Sequence, residues 1–150
     1  MSDKNLQKMP SQTLMQDLQQ IIEQARSRVA ASANHALTMM YWHIGERINR
    51  EVLGNQRAEY GKQIVSQVAS QLQAEYGGKG FEERTIRRMM KFAQMYPDWQ
   101  IVSPLVSKLS WSHFLIVMPL KDELQRDFYL TMAAAERWSK RTLQEKIDGM

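Results

Sequence analysis

An all-α fold, a bundle of several helices, follows from three features of this 150-residue sequence. Apolar residues recur at three- and four-residue steps, as in Leu14, Leu18, Ile21, Ala25 and Val29, which places them on one face of a helix. Valine and isoleucine nowhere alternate with polar residues over the stretch a half-buried strand uses, leaving at most a short hairpin around Ile101-Val102. Glycine and proline, the strongest breakers of helix, fall between the periodic segments.

Residues 1–10 are polar and carry Asp3, Lys4 and Lys8, which predicts a flexible N-terminus ahead of a helical domain over 11–150. The first helix is predicted over 11–32, with glutamines on the faces that its apolar stripe leaves. Asn34 is placed to cap a second helix bearing Leu37, Met40, Tyr41, Ile44 and Ile48 and ending near Gly54. The two form an N-terminal hairpin or one long bent rod. Gly61 opens a third helix with Ile64, Val65, Val68 and Leu72, and Gly77-Gly78-Lys79-Gly80 turns the chain because glycine tolerates the backbone angles of a tight turn. A fourth helix over 82–96 ends before Pro97, which lacks an N–H and restricts its predecessor.

Residues 98–109 read as a loop with at most a short helix, and as the place where the domain would subdivide. Ser110 or Ser112 caps a short helix through Met118, and Pro119 breaks it. Asp122-Glu123 then start a helix whose apolar face is read as Leu124, Phe128, Met132, Ala135 and Trp138. Ser139 caps a last helix with Leu143 and Ile147. Phe81-Glu82-Glu83-Arg84-Thr85-Ile86 and Trp138-Ser139-Lys140-Arg141-Thr142-Leu143 share one pattern, explained by an aromatic that staples the first turn of a helix.

Composition excludes several classes of function. Without cysteine there are no disulfides, zinc-thiolate sites or thiol nucleophiles, in keeping with a cytoplasmic protein. The N-terminus lacks the apolar run of a signal peptide, and the longest apolar stretch, residues 114–120, falls well short of the roughly 20 residues that span a bilayer, so no membrane partner is expected. The net charge of +4 is unevenly spread: residues 79–92 hold five basic residues against two acidic ones.

That local surplus lies in a unit resembling a helix-turn-helix: third helix, glycine turn, fourth helix. Arg84, Arg87, Arg88 and Lys91 fall at i, i+3, i+4 and i+7, while Ile86, Met89, Met90, Ala93 and Tyr96 take the opposite stripe. Arginine offers a planar fork suited to phosphates and guanine edges. Thr85 and the first-turn amides are placed to add phosphate contacts, and Lys79 in the turn a further one. The plainer reading is a solvated basic face partly paired with Glu82 and Glu83.

Other candidates are weaker. His35, His43 and His113 are scattered and read as core or capping residues, so no metal site is expected. Ser112 and His113 are adjacent, about 100 degrees apart around a helix, and lack a nucleophile elbow, so no catalytic residue is assigned. Methionine and tryptophan pairs imply packing, and no cofactor is expected. Leu14, Leu18, Ile21 and Ala25 also fit a short heptad through which two copies would pair as a homodimer.

Several spaced blocks carry a resemblance: Tyr41-Trp42-x-Ile44-Gly45; Phe81-x-x-Arg84-Thr85-Ile86-x-x-Met89 with Tyr96-Pro97; Leu109-Ser110-Trp111-Ser112-His113; and Phe128-Tyr129 with Trp138-Ser139-x-Arg141. Together they resemble the N-terminal domain of the YhcG family, bacterial proteins assigned to the PD-(D/E)XK nucleases. The resemblance implies a C-terminal nuclease domain beyond this stretch, DNA as the partner, and a role in recombination, repair or defence. No Asp followed by Glu-x-Lys in a strand context occurs here, so this stretch is expected to hold no catalytic centre. The resulting expectation is a DNA-binding and assembly module; the alternative is a protein-interaction module that does not touch nucleic acid.

Overall fold

The computed structural model of the protein describes residues 11–27, 33–55, 58–77 and 79–149. Among these residues it holds eight helices and no strand: α1 (Gln12–Ser27), α2 (Ala33–Asn55), α3 (Ala58–Tyr76), α4 (Glu83–Met95), α5 (Trp99–Val106), α6 (Trp111–Val117), α7 (Glu123–Glu136) and α8 (Lys140–Asp148). The fold is the all-α helical bundle that periodicity predicts. Residues 1–10 and 28–32, the expected N-terminal tail and the expected end of the first helix, lie outside the described residues.

Two compact units partition the chain, one formed by residues up to Arg26 with Met40–Pro97, the other by Ser27–Met39 with Asp98–Met150. In the first, α1 and α2 are a folded-back pair: thirty residues of continuous helix would separate Asp17 from Arg47 by about 45 Å, yet Arg47 Nε donates to Asp17 Oδ2 at 2.6 Å. The Arg47 side chain is only 12% exposed and also pairs with Glu51 at 3.1 Å. Leu14, Leu18 and Ile22 are buried, so the heptad-like face is spent inside the unit, with Ile22 in the place expected for Ile21. That stripe is therefore not free to pair with a second copy.

Two helix starts differ from expectation. The second helix begins at Ala33, which puts Asn34 inside its first turn, and the third begins at Ala58, three residues ahead of Gly61. Gly77 and Gly80 both take φ +99, the left-handed region that glycine enters freely, and so form the predicted turn between α3 and α4. Gln73 Nε2 donates to the Phe81 carbonyl across it at 3.1 Å.

Helices α2 and α4 approach closely at Gly45. A Cβ placed on Gly45 would collide with the Met89 carbonyl and the Met90 amide, so the two backbones touch where no other residue fits. Trp42 Nε1, one turn away, donates to the Tyr96 carbonyl at 2.8 Å, and Asn49 Nδ2 donates to the Met90 carbonyl at 2.9 Å. Tyr96 ends α4 ahead of Pro97, so the indole satisfies a carbonyl that the helix leaves open.

In the second unit, α6 packs on α7 and α8, and α5 and α8 also pack on α7. The segment expected to be mainly loop contains a two-turn helix, α5: Asp98 Oδ1 accepts from Gln100 N at 2.9 Å, Val102 and Val106 are buried four residues apart, and Pro104 is accommodated inside it. Burial of that stripe outweighs one lost donor, and no hairpin forms at Ile101-Val102. His113 is a capping residue, as expected. Its Nε2 lies 2.8 Å from the Trp138 carbonyl, which only accepts, so Nε2 carries the proton and Nδ1 accepts from Ser110 N at 3.1 Å. Asp122 and Ser139 cap α7 and α8 through bonds from Leu124 N and Thr142 N.

The apolar face assigned to α7 from sequence is corrected. Tyr129, Leu130 and Ala133 are buried, whereas Leu124 and Phe128 are 79% and 56% exposed. The helix has two apolar stripes, and periodicity alone does not say which one meets the core.

Gly45→Ala is expected to destabilise by about 1–3 kcal/mol as an overpacked contact, lowering Tm by roughly 3–10 °C for a chain of this size. Gly54→Ala, with nothing within 4 Å of the added carbon, should be neutral or stabilise by up to about 1 kcal/mol. Paired thermal melts check both. Burial pushes His43, stacked edge-on against Trp42 at 5.2 Å, below its ordinary value of 6.5, with Glu46 opposing the shift. A histidine lowered on folding binds its proton more readily when unfolded, so its contribution weakens the fold as pH drops below about 6.5. His43→Gln should flatten that part of a stability-versus-pH curve measured by urea denaturation.

Candidate nucleic-acid interface

Helix α4 has two unlike sides. Ile86, Met89, Phe92 and Ala93 are buried; Phe92, absent from the predicted stripe, replaces the half-buried Met90 in the core. The signal for it was present, since Phe92 lies three residues beyond Met89 and four before Tyr96. On the other side Arg84, Arg87 and Lys91 are exposed and Arg88 is half-buried. These four line one shallow depression together with Glu83.

Charge on this side is only partly neutralised. Arg87 Nη2 pairs with Glu83 Oε1 at 2.8 Å, both half exposed. Among the described residues no carboxylate lies within ion-pair distance of Arg84, Arg88 or Lys91. The sequence thus brings Arg84, Arg87, Arg88 and Lys91 onto one face, with one of the four engaged by a neighbour on the same helix.

At the start of α4 a carboxylate occupies the position expected for a phosphate. Glu82 Oε2 accepts from Gly80 N and from the Thr85 hydroxyl, each at 3.2 Å. Its own backbone N–H, those two donors and the nearby Lys79 ammonium hold its carboxyl below the usual range. Thr85 therefore faces Glu82 within the helix start, and Lys79 stands exposed in the glycine turn beside the same carboxylate. Glu82 is legible in the sequence as a partner of the basic face; its bonds to Gly80 and Thr85 at the helix start are not.

Other charged groups join the helices of the first unit. Arg47, Asp17 and Glu51 tie α1 to α2, and Tyr76 and Gln19 bond Glu23 and Glu75 to join α1 with α3. Among the described residues no three His, Cys, Asp or Glu side chains come together as metal ligands, and no helix is long and apolar enough to cross a membrane.

The chain is similar to a protein of Escherichia coli (strain K12) named "Putative nuclease YhcG", with 25% identity over 157 residues. The match covers 85% of this chain and 42% of that protein, so the chain spans less than half the length of its relative. No solved structure matches. Residues 17–150 match the model of the DUF1016 N-terminal domain, and the chain belongs to this family.

Proposed function

We propose that this chain is the DNA-binding and assembly part of a nuclease acting in DNA recombination, repair or defence, with the outer face of α4 lying along the phosphate backbone. The observation that carries the reading is the alignment of Arg84, Arg87, Arg88 and Lys91 on one accessible face of a helix whose other side is locked into the core. From Arg84 to Lys91 the ridge runs about 10 Å, the length of about three phosphate intervals, or four phosphates, along one DNA strand. Lys79 extends the cationic surface past the glycine turn. Thr85 joins a phosphate contact only by exchanging its bond to Glu82.

The E. coli relative is named a nuclease, which makes DNA or RNA the natural substrate of a whole protein of this kind, and a nuclease domain joined to this chain would receive its substrate from α4. The contacts act on phosphate, which positions a duplex without reading its sequence. Glu82 and Glu83 oppose such binding and set its strength.

Fluorescence anisotropy with a labelled duplex at several salt concentrations tests the reading. Four phosphate contacts give a slope of roughly −3.6 in log affinity against log salt. Arg87→Glu with Arg88→Glu should weaken binding roughly tenfold or more and bring the slope to about −1.8. Glu82→Gln and Glu83→Gln should each tighten it, by roughly two- to fivefold. A flat salt response, or affinity untouched by the double reversal, overturns the proposal.

A further inference from the structure

We infer that α7 is a self-association surface on which a second copy of this chain docks antiparallel, α7 against α7. The inference is independent of the reading of α4. On the side of α7 away from buried Tyr129, Leu130 and Ala133, four exposed residues follow one another at spacings of four, three and four: Leu124, Phe128, Thr131 and Ala135. That is the spacing of a seam between two helices. Exposed Leu37 and Leu53 lie far apart on α2 and Ile101 stands alone on α5, whereas α7 places two large apolar side chains one turn apart.

The stripe is complementary to its own reverse. Turned end for end about a twofold axis between Phe128 and Thr131, it sets Leu124 against Ala135 and Phe128 against Thr131, a large side chain opposite a small one at every level. Run parallel, the same stripe would set Phe128 against Phe128 and leave Ala135 facing Ala135.

Charge selects the same direction. The start of α7 carries Asp122, Glu123 and exposed Asp127 against Lys121 and Arg126, the latter bonded to the Leu120 carbonyl, and its end leads into Arg137, Lys140 and Arg141 against Glu136, so the two ends differ in net sign. Antiparallel docking brings the acidic end of one copy beside the basic end of the other, with opposed helix dipoles; parallel docking brings like ends together. Arg137 adds a separate sign. It holds φ 56, the left-handed conformation at which helices usually stop on glycine, and the side chain kept there at that conformational expense is a cation at the end the acidic residues would meet.

A seam of three helical turns is small, so self-association in the micromolar range is expected. Sedimentation equilibrium of the 150-residue chain should show a weight-average mass rising with concentration from 17.5 kDa toward twice that value, and Phe128→Lys should hold it at the lower figure with an unchanged circular-dichroism spectrum. Because the chain has no cysteine, direction is read by crosslinking: a Leu124→Cys chain mixed with an Ala135→Cys chain under mild oxidant should give more of the mixed disulfide dimer than either chain gives with itself. A mass that stays at 17.5 kDa up to about 0.5 mM, a dimer indifferent to Phe128→Lys, or crosslinks favouring like with like would each overturn the inference.

Discussion

The backbone contact between Gly45 and Met89 governs what the first unit can present. Helices usually stand about 8–10 Å apart, held off by their side chains; here α2 meets α4 with nothing between the main chains. Only at that separation do Trp42 and Asn49, on either side of the glycine, reach the carbonyls of Tyr96 and Met90. The three contacts fix the rotation of α4 about its own axis as well as its position. Ile86, Met89 and Phe92 are turned inward for that reason, and the arginines outward as a consequence. The orientation of the basic face is set by packing, without any contribution from the charges it displays.

The sequence blocks that carry the family resemblance turn out to meet in pairs. Trp42 and Gly45 of the first block touch Tyr96 and Met89 of the second. In the other unit His113 of the third block bonds the Trp138 carbonyl of the fourth. These are scaffold contacts: two helix ends capped and one close approach. Of the six residues assigned to nucleic acid, only Arg84 and Thr85 fall inside a block, and Thr85 is engaged by Glu82. The blocks therefore mark contacts of the scaffold, while Arg87, Arg88 and Lys91 of the ridge lie outside them.

What could be read in the sequence follows from which forces are local. Caps are local, and Ser110, Asp122 and Ser139 start helices as expected; so are the φ +99 turns at Gly77 and Gly80 and the stop at Pro97. The two sides of α4 were legible because one is charged and the other greasy. On α7 both sides are apolar, so the choice between Leu124-Phe128 and Tyr129-Leu130 belongs to the neighbours α5, α6 and α8, which a linear pattern does not contain. The same limit explains why a short helix over 98–109 could be allowed for but not fixed, α5 being stabilised by burial of Val102 and Val106 despite Pro104, and the exchange of Ile22 for Ile21 in α1. Gly45 was visible as part of a motif, but its reason, a helix passing against it, is a long-range fact.

The two proposed surfaces bear on each other through energetics alone. An exposed i, i+4 pair such as Glu83–Arg87 is worth a few tenths of a kcal/mol, too little to keep the arginine from a phosphate whose neutralisation also releases counterions. Even so, a ridge of three or four cations beside two carboxylates supports only weak contact, of the non-specific kind with Kd around 10⁻⁴ to 10⁻⁶ M. A second copy carries a second ridge, and two weak contacts on one duplex bind far more tightly than one when both can be reached at once. On these two proposals the weakness of α4 as a lone binding element and the exposed seam of α7 have a common rationale: the first makes affinity depend on copy number, and the second supplies the copy.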